Sequence, residues 1–367
     1  MNKEGIFINN IKVKSFRGIK DLMISNCKRI NFFLGNNNNG KTSLLEAISL
    51  LNGNGKEDFF NLLIRRHGHI VNKDLLYLFN RDTNDINIEY TLNDDKILLL
   101  STYQVNKILF NNELLQKKEN SKELQRIFPN LKLINRFFSG QEMTYLNVNY
   151  KFNNEEKNFT LSDIDSIVNR RTTVNQSGNI FYLTPFDHYL NYRLNVSELL
   201  KSEVFRPIFI ELMKGFVETI EDIFYLKERT PLGDTFELNV KCKNRDAEPI
   251  SIYGDGIKKA IVIANAIARS VNGILLIDEI ETSLHHQILS DIFYLIIRAA
   301  EQFNIQVFIT TQSKETIDSF LEIEKELNLD NVQFYTFKKT ANKTYSKFIS
   351  SKDLNEQNDK FYTDIRD

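Results

Sequence analysis

The hydrophobic and polar positions change their spacing several times along this chain. Three short apolar segments come first, at Phe7–Lys14, Leu22–Ile24 and Ile30–Leu34, and their length and β-branched content predict strands. A polar loop containing glycine follows the third segment. Apolar residues then return at helical spacing over Ser43–Leu51. The N-terminal region is therefore expected to form three strands, a loop and a helix.

From about residue 84 to 162 the apolar positions alternate with polar ones. Segments with one apolar face that flank polar turns predict hairpins, and hairpins predict an antiparallel β layer. A charged stretch of helical character, Glu113–Phe128, is expected to interrupt this layer. The expected strands are Ile86–Leu92, Lys96–Tyr103, Tyr145–Phe152 and Lys157–Leu161.

The remainder of the chain returns to longer elements. Val196–Leu226 has apolar residues at helical spacing and is expected to be helical, with a break or kink at Pro207. Strands and helices then alternate, which predicts a parallel sheet covered by helices. The expected strands are Asn179–Thr184, Thr235–Cys242, Ile274–Ile277, Ile305–Thr310, Val332–Phe337 and Thr344–Ser350. The expected helices are Ile257–Val271, Leu284–Phe303 and Lys314–Leu327.

Composition and charge narrow the class of protein. The 367 residues are 42% hydrophobic and 26% charged, as in an ordinary globular protein, and the net charge of −1 implies no bulk attraction to nucleic acid or membranes. Cys27 and Cys242 lie far apart, which argues against a disulfide scaffold and favours a reducing compartment. No run reaches 18 apolar residues. We therefore expect a soluble, cytoplasmic protein without a membrane partner.

The loop after Ile30–Leu34 carries the first candidate chemistry. Gly35–Thr42 has the spacing G-x-x-x-x-G-K-[ST] between a predicted strand and a predicted helix, as a phosphate-binding loop requires. Lys41 is expected to contact the β- and γ-phosphates, and Thr42 to supply an oxygen to Mg²⁺. ATP and Mg²⁺ are thus the expected cofactors. The expected nucleotide contacts in this loop are Asn36, Asn37, Asn38, Asn39, Gly40, Lys41, Thr42 and Ser43.

Two acidic residues follow another predicted buried strand. Asp278 and Glu279 come directly after Ile274–Ile277, and strand ends of a parallel sheet are where P-loop proteins bind nucleotide. Asp278 is expected to hold Mg²⁺ through water. Glu279 is expected to orient the attacking water or accept its proton.

The order of four segments resembles one family. GNNNNGKT, SIYGDG, LLIDEIETSLHH and FITTQS occur in the order found in ABC-type ATPase heads, within the branch containing SMC, RecF and the OLD (overcoming lysogenization defect) ATPases. The resemblance implies an α/β P-loop head with a mixed or parallel sheet flanked by helices, an antiparallel β layer and a helical insertion. The head is expected over residues 1–185 and 229–367. Residues 186–228 would form the insertion, a candidate dimerisation element.

The same resemblance assigns further site residues. Ser15–Ile19 resembles the family's "FRG" segment, so Arg17 is a candidate nucleotide contact. Ser251, Gly254 and Gly256 lie in a segment similar to the signature loop, which in the family contacts the nucleotide of the opposite subunit. Gln312 stands where the family usually has His and cannot carry a proton, so slow hydrolysis is expected. No glutamine lies in an assignable Q-loop, the family's loop with a glutamine that reaches the metal ion, and Gln104, directly after the predicted strand Lys96–Tyr103, is the only candidate.

The resemblance implies an ATPase subunit of a bacterial antiphage defence system. Two or more copies would pair through their heads when ATP binds, and hydrolysis would part them and change how a separate effector, a nuclease or toxin, is held. One alternative is a DNA-repair or DNA-clamping ATPase similar to RecF, with nucleic acid as a ligand. A transporter ATPase subunit is the third reading, which the "FRG" segment and the long span between residues 53 and 228 fit poorly.

Overall fold

A computed structural model describes residues 7–36, 38–67, 76–93, 95–109, 142–162, 179–185, 187, 196–230, 233–282, 284, 286–340 and 343–356. Asn37 and the predicted helix Glu113–Phe128 lie outside these ranges. The chain forms two compact units. The first contains Met1–Asn10, Ile24–Leu45 and Gly178–Asp367, and the second contains Ile11–Met23 and Glu46–Ser177.

The described elements are numbered in chain order. The strands are β1 (Ile8–Phe16), β2 (Ile19–Ile24), β3 (Ile30–Leu34), β4 (Asp85–Leu92), β5 (Asp95–Leu109), β6 (Glu142–Phe152), β7 (Glu155–Ser162), β8 (Ile180–Leu183), β9 (Ile220–Thr230), β10 (Gly233–Cys242), β11 (Ala247–Pro249), β12 (Ile274–Ile277), β13 (Gln306–Thr311), β14 (Val332–Lys339) and β15 (Thr344–Ile349). The helices are α1 (Lys41–Ser49), α2 (Lys56–His67), α3 (Ser197–Lys201), α4 (Phe205–Phe216), α5 (Asp255–Arg269), α6 (His286–Gln302), α7 (Lys314–Leu327) and α8 (Ser351–Glu356). Short 3₁₀ helices lie at Leu50–Asn52 and Ile250–Ile252.

A six-stranded sheet forms the centre of the first unit, in the order β15-β14-β3-β13-β12-β8. Only β15 runs antiparallel to its neighbour, β14. Strands β3, β8, β12 and β13 are buried along their whole length, as expected for strands covered on both faces. The predicted parallel sheet is confirmed, and the carboxyl ends of β3, β8, β12 and β13 meet at one edge. The predicted strand Thr235–Cys242 does not belong to it, because β10 pairs antiparallel with β9 and β11 in a separate three-stranded sheet.

Aromatic packing joins this sheet to its covering helices. Phe32 on β3 contacts Phe320 of α7, with ring centroids 4.5 Å apart, and stacks on Phe334 of β14 at 5.2 Å. The N-terminus of α7 is capped by Ser313, whose Oγ accepts a hydrogen bond from the Thr316 N–H. The α7 end of the short loop that follows β13 is therefore fixed, and this loop contains Gln312.

The helix predicted over Val196–Leu226 is wrong in its second half. Helix α4 ends at Phe216, and β9 begins at Ile220 and pairs antiparallel with β10. Ile220, Ile223 and Phe224 have the i, i+3, i+4 spacing of a helix, but a neighbouring strand supplies their backbone with hydrogen-bond partners, and tertiary pairing overrides the local pattern.

The helix break predicted at Pro207 is also wrong, because Pro207 lies inside α4. It is the third residue of α4, within the first turn, where a backbone N–H has no intrahelical acceptor in any case. The helices α3 and α4 belong to the first unit. The role of residues 186–228 in dimerisation stays a prediction.

The second unit is built on a six-stranded sheet in the order β2-β1-β4-β5-β6-β7, in which β4, β5, β6 and β7 pair antiparallel. The predicted β layer is confirmed, with β1 and β2 added to it and with β5 extending past Tyr103 to Leu109. Phe59 of α2 packs on Phe79 and Tyr150, with ring centroids 6.0 Å apart in both pairs. Within the described ranges, no helix is both long enough and apolar enough to cross a lipid bilayer.

Candidate functional site

The glycine-rich loop lies between β3 and α1, as predicted. Gly35 and Gly40 have φ angles of 134° and 94°, and Asn38 has a φ of 68°. These left-handed conformations are easy for glycine, which has no Cβ, and tolerable for asparagine. The turn brings the loop backbone round to the N-terminus of α1, where free N–H groups and the positive end of the helix dipole favour an anion. Ser43 lies in the first turn of α1.

The ammonium group of Lys41 lies inside this loop. Its Nζ donates to the carbonyl oxygens of Gly35 and Asn36, at 2.5 and 2.7 Å, and the side chain is buried. Burial lowers the pKa of Lys41 below its ordinary value, whereas Asp278, Glu279 and Glu281 raise it. The negative charges of all three acids therefore act on the Lys41 ammonium group. Asn39 closes the loop by donating to the carbonyl of Phe337, at 3.3 Å.

Asp278 is the centre of a hydroxyl cluster at the carboxyl edge of the sheet. Its Oδ1 accepts hydrogen bonds from Thr42 at 3.1 Å and from Thr310 at 2.5 Å. The hydroxyl of Tyr182, on β8, donates to Oδ2 at 3.4 Å. The sequence predicted that Thr42 and Asp278 would share a metal ion, and the structure brings their oxygens together.

Glu279, the residue after Asp278, has an unusual backbone conformation. Its φ is 46°, in the left-handed region that few non-glycine residues adopt. The N–H of Glu279 donates to Thr310 Oγ1 at 2.8 Å, and Lys259 Nζ lies 3.4 Å from the Glu279 carbonyl oxygen. One threonine hydroxyl therefore contacts both predicted acids. The peptide groups on either side of Glu279 are each held by a side chain.

Gln312 follows β13 and lies beside the acidic loop. Its backbone N–H donates to Oε1 of Glu281 at 3.1 Å, and the residue is exposed. Glu281 thus connects the loop after β12 to the loop after β13. The exposed position leaves the Gln312 amide accessible from outside the protomer.

The segment assigned as the signature loop, Ser251–Gly256, lies on the surface of the first unit. Ser251, Ile252 and Gly254 are exposed, Ile252 by 64%. Gly254 is the N-cap of α5 and offers no side-chain cap, so the first N–H groups of that helix keep their anion-binding capacity. The Ser251 hydroxyl donates to Oε1 of Glu237, at 3.0 Å.

Arg17 belongs to the second unit and is held tightly there. Its φ is 49°, and its Nε lies 2.9 Å from Oε2 of Glu46, with both side chains buried. The amide of Asn80 donates to the carbonyl oxygens of Arg17 and Ile19, at 3.0 and 3.2 Å, and so fixes the turn between β1 and β2. The assignment of Arg17 as a nucleotide contact stays a prediction.

The sequence placed Gln104 after a strand, and this is wrong. It is an exposed residue inside β5 of the second unit, paired with Asn147 of β6. Strand β5 runs longer than its alternation indicated because β6 pairs with it as far as Leu109. Its assignment as a metal ligand stays a prediction, and nothing in its described contacts favours it.

Sequence reasoning missed four residues of this cluster. Thr310, Tyr182 and Glu281 contact the predicted residues from three different loops or strands, and Lys259 reaches the cluster from α5. Thr310 and Tyr182 lie in the last two residues of their parallel strands, which is the one signal that would have placed them at the site. Lys259 carried no such signal, since half of a Lys-Lys pair ordinarily lies in solvent.

The donor set fits a magnesium-bound nucleoside triphosphate. Mg²⁺ prefers oxygen ligands and keeps several waters, so one hydroxyl and one carboxylate suffice on the protein side. Thr42 and Asp278 supply these, and the described residues contain no cluster of three or more His, Cys, Asp or Glu that would hold a metal by itself. The loop backbone, Lys41 and the α1 N-terminus supply positive charge for phosphates.

The comparisons with known proteins agree with this chemistry. The family described as "AAA domain, putative AbiEii toxin, Type IV TA system" matches residues 30–318. The chain is similar to a Helicobacter pylori protein described as "ATP/GTP phosphatase", at 23% identity over 340 residues, covering 87% of this chain and 89% of that protein.

Two further similarities concern a short segment and the fold. A Leptospira biflexa "DNA replication and repair protein RecF" is 46% identical over 46 residues, which are 12% of each chain. The solved structure of an SMC head bound to the C-winged helix domain of ScpA matches with a TM-score of 0.50 and 16% identity, covering 94% of this chain and 98% of that chain. The likeness to the SMC head concerns the fold.

Proposed function

Because this chain belongs to the family described as "AAA domain, putative AbiEii toxin, Type IV TA system", we propose that it is the ATP-driven regulatory subunit of a bacterial antiphage defence complex. It is an ABC-type ATPase of the SMC/RecF-like branch. The heads of two copies pair around ATP, and this pairing controls a separate effector protein, a nuclease or toxin. The family description names a toxin of a TA system, and this supports the defence role.

The exposed signature loop is the observation that carries the pairing of heads. The pocket at Lys41 already has an ammonium group, loop N–H groups and a helix N-terminus for the phosphates of its own nucleotide. Ser251 and the α5 N-terminus form a second surface suited to an anion, in the same unit. Two such surfaces are explained if each nucleotide is held by Lys41 of one copy and Ser251 of another.

The site residues then divide the work of hydrolysis. Lys41 binds the β- and γ-phosphates, and Thr42 and Asp278 hold Mg²⁺, which neutralises charge on the phosphate oxygens when bound. Glu279 orients the attacking water and accepts its proton. Gln312 donates a hydrogen bond but cannot relay a proton, so turnover is slow and the ATP-bound pair is long-lived.

Substituting Glu279 by Gln tests the pairing. The variant keeps the size of the side chain but replaces the proton-accepting carboxylate with a neutral amide, so ATP stays bound and paired heads accumulate. We expect light scattering to show ATP-dependent association of Glu279→Gln, reversed by removing Mg²⁺ with EDTA. Lys41→Ala in the same background is the control and is expected to stay unpaired. Association that is absent with ATP would contradict the pairing.

The defence role has its own readout. Cells that express the wild-type chain with its neighbouring genes are expected to resist phage plating, and the same genes with Glu279→Gln are expected to change that resistance. Equal phage plating with wild-type, Glu279→Gln and empty-vector cells would contradict the defence role while leaving the ATPase assignment intact.

A further inference from the structure

Lys259 is a buried lysine to which the nucleotide-binding motifs assign no function. Only 3% of it is exposed, and lysines are seldom buried to this degree unless they are paired. Four acids act on its charge, namely Glu281, Asp187, Asp278 and Glu279. Burial nevertheless lowers the pKa of Lys259 to about 8. The Lys259 ammonium group thus lies near the acidic residues at the carboxyl edge of the sheet.

The position of its ammonium group gives this cation a specific task. Nζ lies 3.4 Å from the carbonyl oxygen of Glu279, the residue whose φ is 46°. The N–H of the same residue is held by Thr310. A left-handed backbone at glutamate persists only where the surroundings fix it. Lys259 and Thr310 hold Glu279 from its two sides, and the direction of the carboxylate depends on both.

Lys259 also lies on the helix that starts at the signature loop. Gly254 is the N-cap of α5, and Lys259 is one turn further along. Over one helical turn the backbone hydrogen bonds make the helix rigid, so a displacement of its N-terminus moves Lys259 as well. The exposed end of α5 and the backbone of Glu279 are therefore joined by a single side chain.

We infer that Lys259 is a positioning residue that links the signature loop of a protomer to that protomer's own Glu279. This inference rests on the proposed pairing of heads. When Ser251 and the α5 N-terminus contact the nucleotide of a second copy, α5 and Lys259 fix the Glu279 backbone in the orientation that hydrolysis needs. Each head then hydrolyses its ATP fastest when it is itself engaged with its partner's nucleotide.

The test compares Lys259→Met with Lys258→Met. Methionine has the length of lysine but neither its charge nor its donor, and Lys258 is a matched control because its ammonium lies 3.4 Å from Asp255, on the surface side of the same helix. We expect Lys259→Met to lower kcat roughly ten- to a hundredfold, since a small displacement of a catalytic group has an effect of this size. ATP affinity and the concentration at which heads pair are expected to change by less than about threefold. Lys258→Met is expected to keep wild-type kcat.

Rescue separates positioning from a structural role. Lys259→Arg keeps a cation that can donate to the Glu279 carbonyl, so it is expected to recover a large part of the lost kcat. Turnover is expressed per folded chain, determined by circular dichroism. Should Lys259→Met not fold, Lys259→Gln serves the same comparison, because it removes the charge and its amide ends one bond short of the Nζ position.

Two results would overturn the inference. Wild-type kcat in folded Lys259→Met would show that Glu279 needs no support from this lysine. Equal loss of ATP affinity and of kcat would assign Lys259 to binding. The failure of Glu279→Gln to pair with ATP would instead contradict the proposed function, and the kcat of Lys259→Met would still report whether Lys259 positions Glu279.

Discussion

At the scale of single residues, the site depends on a few short-range contacts around Asp278. Thr310 contacts both predicted acids, since its hydroxyl donates to Asp278 and accepts from the Glu279 N–H. The predicted metal ligand and the predicted water-orienting residue are thereby held by one side chain. A contact of this kind is stronger in a buried site than in water.

Thr310→Val tests that role. The change keeps the shape of the side chain but leaves the Glu279 N–H without its acceptor, which is expected to lower the free energy of unfolding by about 1–3 kcal/mol. We expect kcat per folded chain to fall roughly tenfold or more, with ATP affinity within about threefold of wild type, in steady-state assays.

Thr316→Val is the matched control for this experiment. Thr316 is equally buried, and its Oγ1 makes no hydrogen bond to any residue that the structure describes. The same substitution there is expected to leave kcat unchanged. If Thr310→Val and Thr316→Val had the same kcat, the bridge at Thr310 would have no part in hydrolysis.

At the scale of elements, the turn between β1 and β2 is fixed by a residue distant in sequence. Asn80 is buried and uses its whole amide: Nδ2 donates to Arg17 and Ile19, and Oδ1 accepts from the N–H groups of Asp82 and Thr83. The "FRG" turn therefore takes its conformation from the loop before β4. Arg17 is presented on a backbone that this asparagine supports.

Asn80→Asp is expected to destabilise the protein. The carboxylate keeps both acceptor contacts but loses the two donor contacts, and it faces the carbonyl oxygens of Arg17 and Ile19 at close range. We expect the free energy of unfolding, measured with urea, to fall by about 1–3 kcal/mol. Asn244→Asp, in an exposed turn, is the control and is expected to change it by less than about 0.5 kcal/mol. Equal effects of the two changes would contradict the role of Asn80.

At the scale of the whole molecule, the proposed pairing brings a triphosphate to the exposed signature loop. The carboxylate of Glu237 already accepts a hydrogen bond from Ser251 there. An incoming γ-phosphate would meet a negative charge of the same protomer, and like charges brought together weaken association. Pairing is expected to be weaker than the signature loop alone would allow.

Glu237→Gln is expected to strengthen the ATP-dependent association. Glutamine keeps an acceptor for the Ser251 hydroxyl and removes the charge. In the Glu279→Gln background, the midpoint protein concentration for association is expected to fall by a factor of about two to five, a typical value for one partly exposed charge. The effect should shrink at high ionic strength, because salt screens exposed charges. Glu221→Gln, an exposed carboxylate on β9, is the control. No shift at low salt would contradict the electrostatic argument.

The sequence by itself determined the elements whose signal is local. The loop Gly35–Thr42 needs only its glycines, lysine and threonine, between a strand and a helix, and the structure has β3 and α1 on either side of it. Strand β12 and helix α7 have their predicted bounds because unbroken apolar runs and a serine cap are features of neighbouring residues. The sequence likewise shows that two carboxylic acids, Asp278 and Glu279, directly follow a predicted buried strand.

The tertiary structure alone decided which distant residues meet. Thr42 and Asp278 are 236 positions apart, and Asn80 and Arg17 are 63 apart, so their contacts depend on sheet order and strand register. The same dependence turned Ile220–Thr230 into a strand despite its helical spacing, because β10 supplied the hydrogen bonds. Lys259 shows the limit most clearly. Local sequence predicts a lysine in a helix, and only the tertiary structure buries its side chain near the charges of four acids and places its ammonium 3.4 Å from the Glu279 carbonyl oxygen.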